Sequence, residues 1–294
     1  MSGNDDSRLA AVGAREELEC ACIQMTSGPE ADRNLAQIRD WFRSPAIQSA
    51  DLVALPEAVD LLDADADRVR AYARPLAEHR FLLGIRELAR ESRKWVLVGS
   101  VTARSLQGAV VNRCVVVGPD GELVTTYDKI HLFDAPVSGD NEVPESALYG
   151  RGHVAQVVAL PWVRLGLSIC YDLRFPLLYR SLVRHGAELL SVPSAFLKTT
   201  GEAHWHTLLR ARAIESGCFV IAPNQCGTPE DGIPRYGHSL IVDPWGRVIA
   251  DAGQSSGVIS ARLDLNLIDR CREALPCLEH ERSFVTEIRA AELI

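Results

Sequence analysis

The 294-residue sequence has no surplus of positive charge and no run of lysines and arginines. Its 39 acidic residues outnumber the 31 Lys and Arg residues, giving a formal charge of −8, so it lacks the basic surface that attracts nucleic acids and anionic membranes. No apolar stretch approaches the roughly 18 residues of a membrane-spanning helix, and the N-terminus lacks the apolar centre of a signal peptide. We therefore expect a cytoplasmic protein with a small-molecule substrate and with neither a nucleic-acid nor a membrane partner.

Cysteine and metal-binding motifs are scarce as well. Eight cysteines are too few for a disulfide-built scaffold of this length, and no two have the C-x-x-C spacing of redox motifs and structural zinc sites. His204 and His206 lie two residues apart in a predicted helix, where their side chains point in different directions and are poorly placed to share a metal. Glycine-rich dinucleotide and phosphate motifs are missing. We expect no metal and no organic cofactor.

Apolar patterning predicts alternating strands and helices. Short runs rich in β-branched residues alternate with amphipathic stretches of helical period, first in the order β-α-β-α-β. Two later pairs of apolar runs enclose turns of Pro, Asp and Gly, and they predict hairpins over 114–125 and 240–250. The predicted strands cover 18–25, 51–55, 95–101, 154–160, 164–170, 188–192 and 218–222, and the later predicted helices cover 176–185 and 203–216.

These elements indicate one α/β domain with mixed sheets. No low-complexity linker divides the chain, so we expect a single domain over 18–294 with an irregular loop over 133–152. Residues 1–17 are acidic, and we expect them to form a mobile extension.

Three polar residues, Glu57, Lys129 and Cys170, follow apolar strand-like runs. Open α/β folds bind their ligands at the carboxyl ends of strands, so these side chains can come together there. A cysteine thiol needs a base or a positive neighbour to act as a nucleophile near neutral pH. Glu57 can accept its proton, and Lys129 can stabilise the oxyanion that forms when sulfur attacks a carbonyl. The three residues are therefore candidates for nucleophilic catalysis.

Each of these residues also has an ordinary structural interpretation. Cys170 can be a small buried apolar residue, Glu57 a loop carboxylate and Lys129 a solvated charge. None of them alone supports a functional conclusion, so the functional interpretation depends on the segments that surround them.

Those segments resemble the three catalytic segments of the nitrilase superfamily of carbon–nitrogen hydrolases, in the same order and at familiar separations. They are L-P-E over 55–57, Y-D-K-I-H-L-F-D over 127–134 and G-L-S-I-C-Y-D-L-R-F-P over 166–176. Further similar stretches cover 193–196, 204–215 and 236–246, and the resemblance extends over about 18–282.

The resemblance implies a four-layer αββα sandwich with mixed sheets, which becomes eight layers on dimerisation, and it implies no cofactor. It implies Cys170 as the nucleophile, Glu57 as the general base and Lys129 as the cation beside the tetrahedral intermediate. The superfamily often has a second glutamate in the loop after the lysine. Glu145 fits that place best, with Glu142 as the competitor.

Within the superfamily, the sequence C-Y-D-L-R-F-P over 170–176 is similar to the amidase branch rather than to true nitrilases. Segments 204–215 and 225–227 resemble amidases that act on deaminated glutathione, whose near relatives are omega-amidases acting on 2-oxoglutaramate. Leu177 departs from the pattern, because many relatives have a glutamate directly after Arg-Phe-Pro.

The resemblance also suggests how a substrate carboxylate is held. Arg174 is a plausible clamp, because a planar guanidinium matches the geometry of a carboxylate, and Tyr171, Phe196 and Thr200 are expected in the same pocket. The alternative for Arg174 is an internal ion pair with Asp172 or another acid.

The sequence thus predicts a cysteine-dependent amidase that cleaves a small carboxylate-bearing 2-oxo compound through a thioester, with deaminated glutathione as the first substrate hypothesis. An omega-amidase acting on 2-oxoglutaramate is the nearest alternative. Two other classes are a non-catalytic scaffold with the same fold and a redox-sensing thiol protein. Retention of Glu57, Lys129 and Cys170 together argues against the scaffold, which has no need of all three.

Overall fold

Two six-stranded sheets form the centre of the computed structural model, which describes residues 16–135 and 144–289. Residues 1–15, most of the expected N-terminal extension, lie outside the described residues, as does Glu142, the competing second glutamate. Among the described residues, no helix is long and apolar enough to cross a membrane.

The first sheet takes five strands from the N-terminal half of the chain and one from the C-terminal part. They are β1 (Glu17–Gln24), β2 (Leu52–Ala54), β3 (Trp95–Arg104), β4 (Val110–Val117), β5 (Leu123–Asp128) and β14 (Gly257–Asp264), in the order β14-β1-β2-β3-β4-β5. The central strands β1, β2 and β3 are parallel, and the outer pairs are antiparallel. The parallel centre agrees with the predicted β-α-β-α-β order, because parallel neighbours need crossover connections.

The second sheet repeats this plan, with parallel strands inside and antiparallel strands outside. Its strands are β6 (Val157–Ala159), β7 (Arg164–Leu167), β8 (Leu189–Ser191), β9 (Phe219–Ala222), β12 (Leu240–Val242) and β13 (Val248–Asp251), in the order β13-β12-β9-β8-β7-β6. A separate short ladder joins β10 (Cys226–Gly227) to β11 (Arg235–Tyr236). Both predicted hairpins are therefore confirmed, as β4–β5 and β12–β13.

Helices flank both sheets. They are α1 (Ala31–Trp41), α2 (Pro45–Ser49), α3 (Ala66–Tyr72), α4 (Arg80–Ser92), α5 (Pro176–Arg184), α6 (Lys198–Ser216), α7 (Asn266–Ala274) and α8 (Cys277–His280). One apolar core joins α1 and α4 to the first sheet, a second lies between the sheets, and a third joins α5 and α6 to the second sheet. This order of layers confirms the predicted αββα sandwich, while its doubling on dimerisation stays a prediction.

Several predicted boundaries were wrong for identifiable reasons. The helix predicted to start at residue 203 starts at Lys198, because tertiary contacts stabilise the weak helix formers that precede it. The strand predicted over 164–170 ends at Leu167, and Cys170 begins a short 3-10 helix instead. Strand β14 was not predicted, because its residues are mostly exposed or half-buried and show no clean apolar alternation.

Candidate active site

Glu57, Lys129 and Cys170 line one cavity, as the sequence predicts. Glu57 follows β2 and Lys129 follows β5, so both come from the first sheet, whereas Cys170 follows β7 of the second sheet. Lys129 Nζ lies 2.8 Å from Glu57 Oε1, and the Cys170 thiol forms a side-chain hydrogen bond with Glu57. The packing of one sheet on the other therefore assembles the three groups.

Glu145 lies on the other side of Lys129. Its Oε2 is 2.8 Å from Lys129 Nζ, and it accepts a 2.7 Å hydrogen bond from the backbone N–H of Phe133. The Glu145 N–H in turn donates to the Phe133 carbonyl at 3.1 Å. These reciprocal bonds join the two ends of the loop and hold the Glu145 carboxylate beside Lys129.

Asn112 is a fifth polar member of the cluster, and the sequence reasoning missed it. Its Nδ2 donates to Glu57 Oε1 at 2.9 Å and to Glu145 Oε1 at 3.1 Å. The available signal was the polar pair Asn112 and Arg113 inside the otherwise apolar run of β4. Asn112 thus bridges the same two carboxylates that Lys129 bridges, and it fixes their separation.

The backbone around the cluster has unusual local geometry. Gly99 of β3 faces the Glu57 segment so closely that a Cβ there would lie 2.1 Å from the Leu55 carbonyl oxygen. The Ala195 N–H then donates to Glu57 Oε2 at 2.8 Å and fixes the carboxylate. Cys170 has a φ of 48°, a left-handed conformation that costs a non-glycine residue energy and is often found at functional sites.

Burial and neighbouring charges set the protonation states of these groups. Burial raises the pKa of Glu57, but the Lys129 charge and the hydrogen bonds outweigh it, so the pKa falls below its usual 4.5. Burial and the adjacent Glu57 charge raise the pKa of the Cys170 thiol well above its usual 9.0. Burial lowers the pKa of Lys129, but the two glutamates raise it more, and it stays well above 10.5. Near neutral pH the site therefore holds a neutral thiol, a carboxylate and an ammonium.

Asp172 ties the Lys129 segment to the Cys170 turn. Its buried carboxylate accepts a 2.6 Å bond from the Tyr127 hydroxyl and a 3.0 Å bond from the backbone N–H of His131. It also accepts from the Ile169 N–H at 2.9 Å. The same carboxylate therefore positions the backbone next to both Lys129 and Cys170.

The four residues expected to bind substrate, Arg174, Tyr171, Phe196 and Thr200, all line the cavity, whose volume is about 490 Å³. The Arg174 guanidinium lies 5.2 Å from the Phe196 ring centre and 5.9 Å from that of Tyr171. Its Nη1 is 3.2 Å from His204 Nδ1. The alternative ion pair with Asp172 is not formed, and Arg174 pairs with no other acid of the described residues.

Sequence reasoning missed other parts of the cavity wall. The segment after Glu57 contributes apolar side chains, and the segment after β10 contributes a buried ion pair. These lining residues are Leu61, Leu62, Val69, Asp231 and Arg235. Single-sequence patterning holds no signal for them, because they reach the cavity only through tertiary packing.

One group of side chains within 16–135 and 144–289 has the composition of a metal site. His206, His238 and Asp251 place one ligand atom each within 4.8 Å of one another. Both histidines hydrogen-bond to Asp251, at 3.2 Å and 3.0 Å, and none of the three lines the cavity. His204 takes no part in this group and contacts Arg174 instead, in agreement with the expectation that His204 and His206 point in different directions.

The comparison with known families decides the class of the protein. A family model described as Carbon-nitrogen hydrolase matches residues 19–273. The chain belongs to this family. This carbon–nitrogen hydrolase is 38% identical to the deaminated glutathione amidase of Bos taurus over 280 residues, 93% of this chain and 85% of the relative. It is 37% identical to the deaminated glutathione amidase of Synechocystis over 270 residues, 90% of this chain and 98% of the relative.

Solved structures of the same superfamily share the fold. The C. elegans NitFhit protein superposes with a TM-score of 0.85 at 35% identity, over 92% of this chain and 66% of that one, so the present chain spans less than two thirds of it. Saccharomyces cerevisiae Nit3, a member of branch 10 of the nitrilase superfamily, gives a TM-score of 0.81 at 27% identity over 90% of this chain and 97% of that one. The protein is therefore an amidase of the nitrilase superfamily with a small amide as substrate.

Proposed function

We propose that this carbon–nitrogen hydrolase cleaves the amide of a small carboxylate-bearing 2-oxo compound through a thioester on Cys170, and that deaminated glutathione is its substrate. The observation that carries the proposal is the cavity itself, where a thiol, two glutamates and a lysine lie in the same space as the guanidinium of Arg174. The identity to relatives named deaminated glutathione amidase supports this choice of substrate.

The protonation states define the first step. Cys170 starts as a neutral thiol hydrogen-bonded to the Glu57 carboxylate. As sulfur attacks the amide carbon, Glu57 takes the thiol proton, so no free thiolate accumulates beforehand. Lys129 remains charged and stabilises the negative charge that develops on the carbonyl oxygen.

In the remaining steps Glu57 gives up the proton that it took from the thiol, and water releases the product. Glu57 returns its proton to the leaving nitrogen, the C–N bond breaks, and the acyl group stays on Cys170 as a thioester. A water molecule, deprotonated by a glutamate, then attacks the thioester and releases the acid and the free thiol. Glu145, held 2.8 Å from Lys129 Nζ, is the second glutamate that we assign to this cycle.

Arg174 is the proposed anchor for the substrate carboxylate. Every carboxylate that lines the described part of the cavity already lies within 4.0 Å of a cationic side chain; the acids are Glu57, Asp63, Asp134, Glu145 and Asp231. Arg174, by contrast, pairs with no acid of the described chain. A planar guanidinium without an acid partner offers bidentate hydrogen bonds to an incoming carboxylate.

The test measures product formation from deaminated glutathione and from 2-oxoglutaramate side by side, with Cys170→Ala as the inactive control. A kcat/KM that is more than about tenfold higher for deaminated glutathione, roughly 1.4 kcal/mol of transition-state binding, supports the proposal. A preference for 2-oxoglutaramate replaces it with the omega-amidase function. Trapping the Cys170 thioester by mass spectrometry separates both functions from a scaffold or a redox-sensing thiol, which form no acyl adduct. Full turnover by Cys170→Ala would refute the covalent mechanism.

A further inference from the structure

A second arginine of the cavity wall has no place in the reaction described above. Arg235 belongs to β11, and its side chain is only 9% exposed although the residue lines the cavity. It pairs across a short bridge with Leu197, and the next residue, Tyr236, donates its N–H to the Phe196 carbonyl at 2.9 Å. These backbone bonds fix Arg235 beside the segment that carries Phe196, over which Arg174 lies.

Among the described residues, only one nitrogen of the Arg235 guanidinium forms a hydrogen bond. Its Nη2 bonds to Asp231 Oδ2 at 2.5 Å, and the other oxygen of Asp231 accepts the Ile233 N–H at 2.9 Å. Neither Nε nor Nη1 of Arg235 has a hydrogen-bond partner among the described residues, and Nε is buried. A guanidinium carries five N–H donors, so the bond to Asp231 positions the Arg235 side chain and leaves other donors unused.

The pair of Arg68 and Asp63 on the same cavity is different. Asp63 lines the cavity, but Arg68 does not, and the Arg68 side chain is 65% exposed. Arg68 binds Asp63 through two parallel hydrogen bonds, Nε to Oδ2 at 2.7 Å and Nη2 to Oδ1 at 2.6 Å. In that pair both carboxylate oxygens bind the guanidinium, whereas the Arg235 pair leaves Nε and Nη1 of the arginine without a hydrogen-bond partner among the described residues.

We propose that Arg235 forms a second carboxylate subsite and that the preferred substrate carries a carboxylate on each side of the scissile amide. The inference rests on the proposed function. Arg174 holds the carboxylate of the acyl part, and Arg235 holds the carboxylate of the leaving amine. Deaminated glutathione has both carboxylates, the second one on its glycine. The leaving group of 2-oxoglutaramate is ammonia, which has no carboxylate for this subsite.

The experiment compares wild type, Arg235→Gln and the matched control Arg68→Gln on three substrates: deaminated glutathione, its C-terminal N-methylamide and 2-oxoglutaramate. We expect Arg235→Gln to lower kcat/KM for deaminated glutathione at least about tenfold, because a charged acceptor loses its partner. The loss for the other two substrates is expected to be several-fold smaller. Arg68→Gln should change each value by less than about twofold, since the Arg68 side chain is 65% exposed and does not line the cavity.

The outcomes separate failure of the inference from failure of the proposed function. If Arg235→Gln lowers the rates for deaminated glutathione and its N-methylamide equally, Arg235 is structural and the inference is overturned, while the proposed function stands. If wild type cleaves none of the three substrates, both fail. If circular dichroism shows that Arg235→Gln is misfolded, the wild-type enzyme provides the test. We then expect its kcat/KM to be about tenfold higher for deaminated glutathione than for the N-methylamide. Equal values would refute the subsite.

Discussion

At the scale of the residue, the roles proposed for Glu57 as general base and Cys170 as nucleophile determine the pH response that we expect of the reaction. The general base must be ionised and the thiol neutral for proton transfer to accompany attack. The pKa of Glu57 is below 4.5, because Lys129 and the hydrogen bonds outweigh the effect of burial, and the pKa of Cys170 is above 9.0, because burial and Glu57 disfavour the thiolate. Both groups therefore keep the productive protonation state across the neutral range.

We predict that kcat/KM stays level between about pH 5 and pH 9 and falls on the acid side only below the usual glutamate value of 4.5, as Glu57 takes a proton. The measurement is the pH dependence of kcat/KM, with circular dichroism at each pH to show that the protein remains folded. An acid limb centred near pH 6 to 7 would contradict the assignment of Glu57 as the base.

Asn112 provides a second prediction at this scale, as a positioning residue. Asn112→Leu removes the donor to both Glu57 and Glu145 while keeping the number and branching of side-chain heavy atoms, so we expect kcat to fall about 10- to 100-fold with KM little changed. Losing a hydrogen bond to the ionised carboxylate also raises the pKa of Glu57, so the acid limb should move to higher pH.

The matched control for Asn112 is Thr102→Val. Thr102 is also buried and hydrogen-bonds the Tyr149 hydroxyl at 3.2 Å, but its side chain forms no hydrogen bond with either Glu57 or Glu145. Thr102→Val is expected to leave the acid limb in place. An unchanged limb in Asn112→Leu, or an equal shift in both variants, would remove the positioning role from Asn112.

At the scale of the element, two glycines let neighbouring backbone segments pass close to one another. These close contacts determine the direction of the chain where it leaves a strand. Gly99 lets the Leu55–Glu57 stretch cross β3, since a Cβ there would lie 2.1 Å from Leu55 O and 2.4 Å from Pro56 O. Gly152 does the same beside Lys129, where a Cβ would lie 2.0 Å from the Asp128 carbonyl oxygen. A helix or strand pattern in the sequence predicts the element itself. It does not predict such a close backbone contact, because the two contacting segments lie far apart in the chain.

We predict that Gly99→Ala lowers the free energy of unfolding by about 1 to 3 kcal/mol and kcat/KM by more than about tenfold, because the clash moves the segment that carries Glu57. Urea unfolding and steady-state kinetics measure the two effects. Gly257→Ala is the control, since Gly257 also lies in a strand but a Cβ there would meet no atom of the described residues within 4 Å. Equal behaviour of the two variants would show that close packing at Gly99 is unimportant.

At the scale of the whole molecule, the site depends on the packing of the two sheets. The core between them combines Leu52 and Leu97 of the first sheet with Leu165 and Ile221 of the second. Separation of the sheets would part Glu57 and Lys129 from Cys170. We therefore propose that residues 18–294 form a single domain after a short N-terminal extension.

The molecular surface has one candidate contact for the predicted homodimer, which stays a prediction. Ile214, Trp245 and Leu275 are about half exposed and line one hollow of about 220 Å³ near the ends of α6 and α7. Exposed apolar groups that share one hollow are typical of protein contacts. We propose that this surface is buried between two copies of the chain.

Sedimentation equilibrium of wild type should then give a dimer at micromolar concentration, and Ile214→Lys should shift it toward monomer, because burying an unpaired charge is costly. Leu106→Lys is the control, since Leu106 is fully exposed on the turn between β3 and β4 and lies outside the hollow. A wild-type monomer at these concentrations would refute the dimer. Dissociation by both variants, or by neither, would place the contact elsewhere.

The sequence alone determined the α/β class, both hairpins, the family and the positions of Glu57, Lys129 and Cys170, because those signals lie in short local patterns. Only the tertiary structure decided that Asn112 bridges the two glutamates and that Arg235 lines the cavity. It also decided that Arg174 forms no ion pair with Asp172, whose carboxylate is hydrogen-bonded to Tyr127 and His131. Such contacts join residues far apart in the chain through sheet packing and irregular loops. Local periodicity reports which face of an element is buried, but it does not report which distant side chain that face will meet.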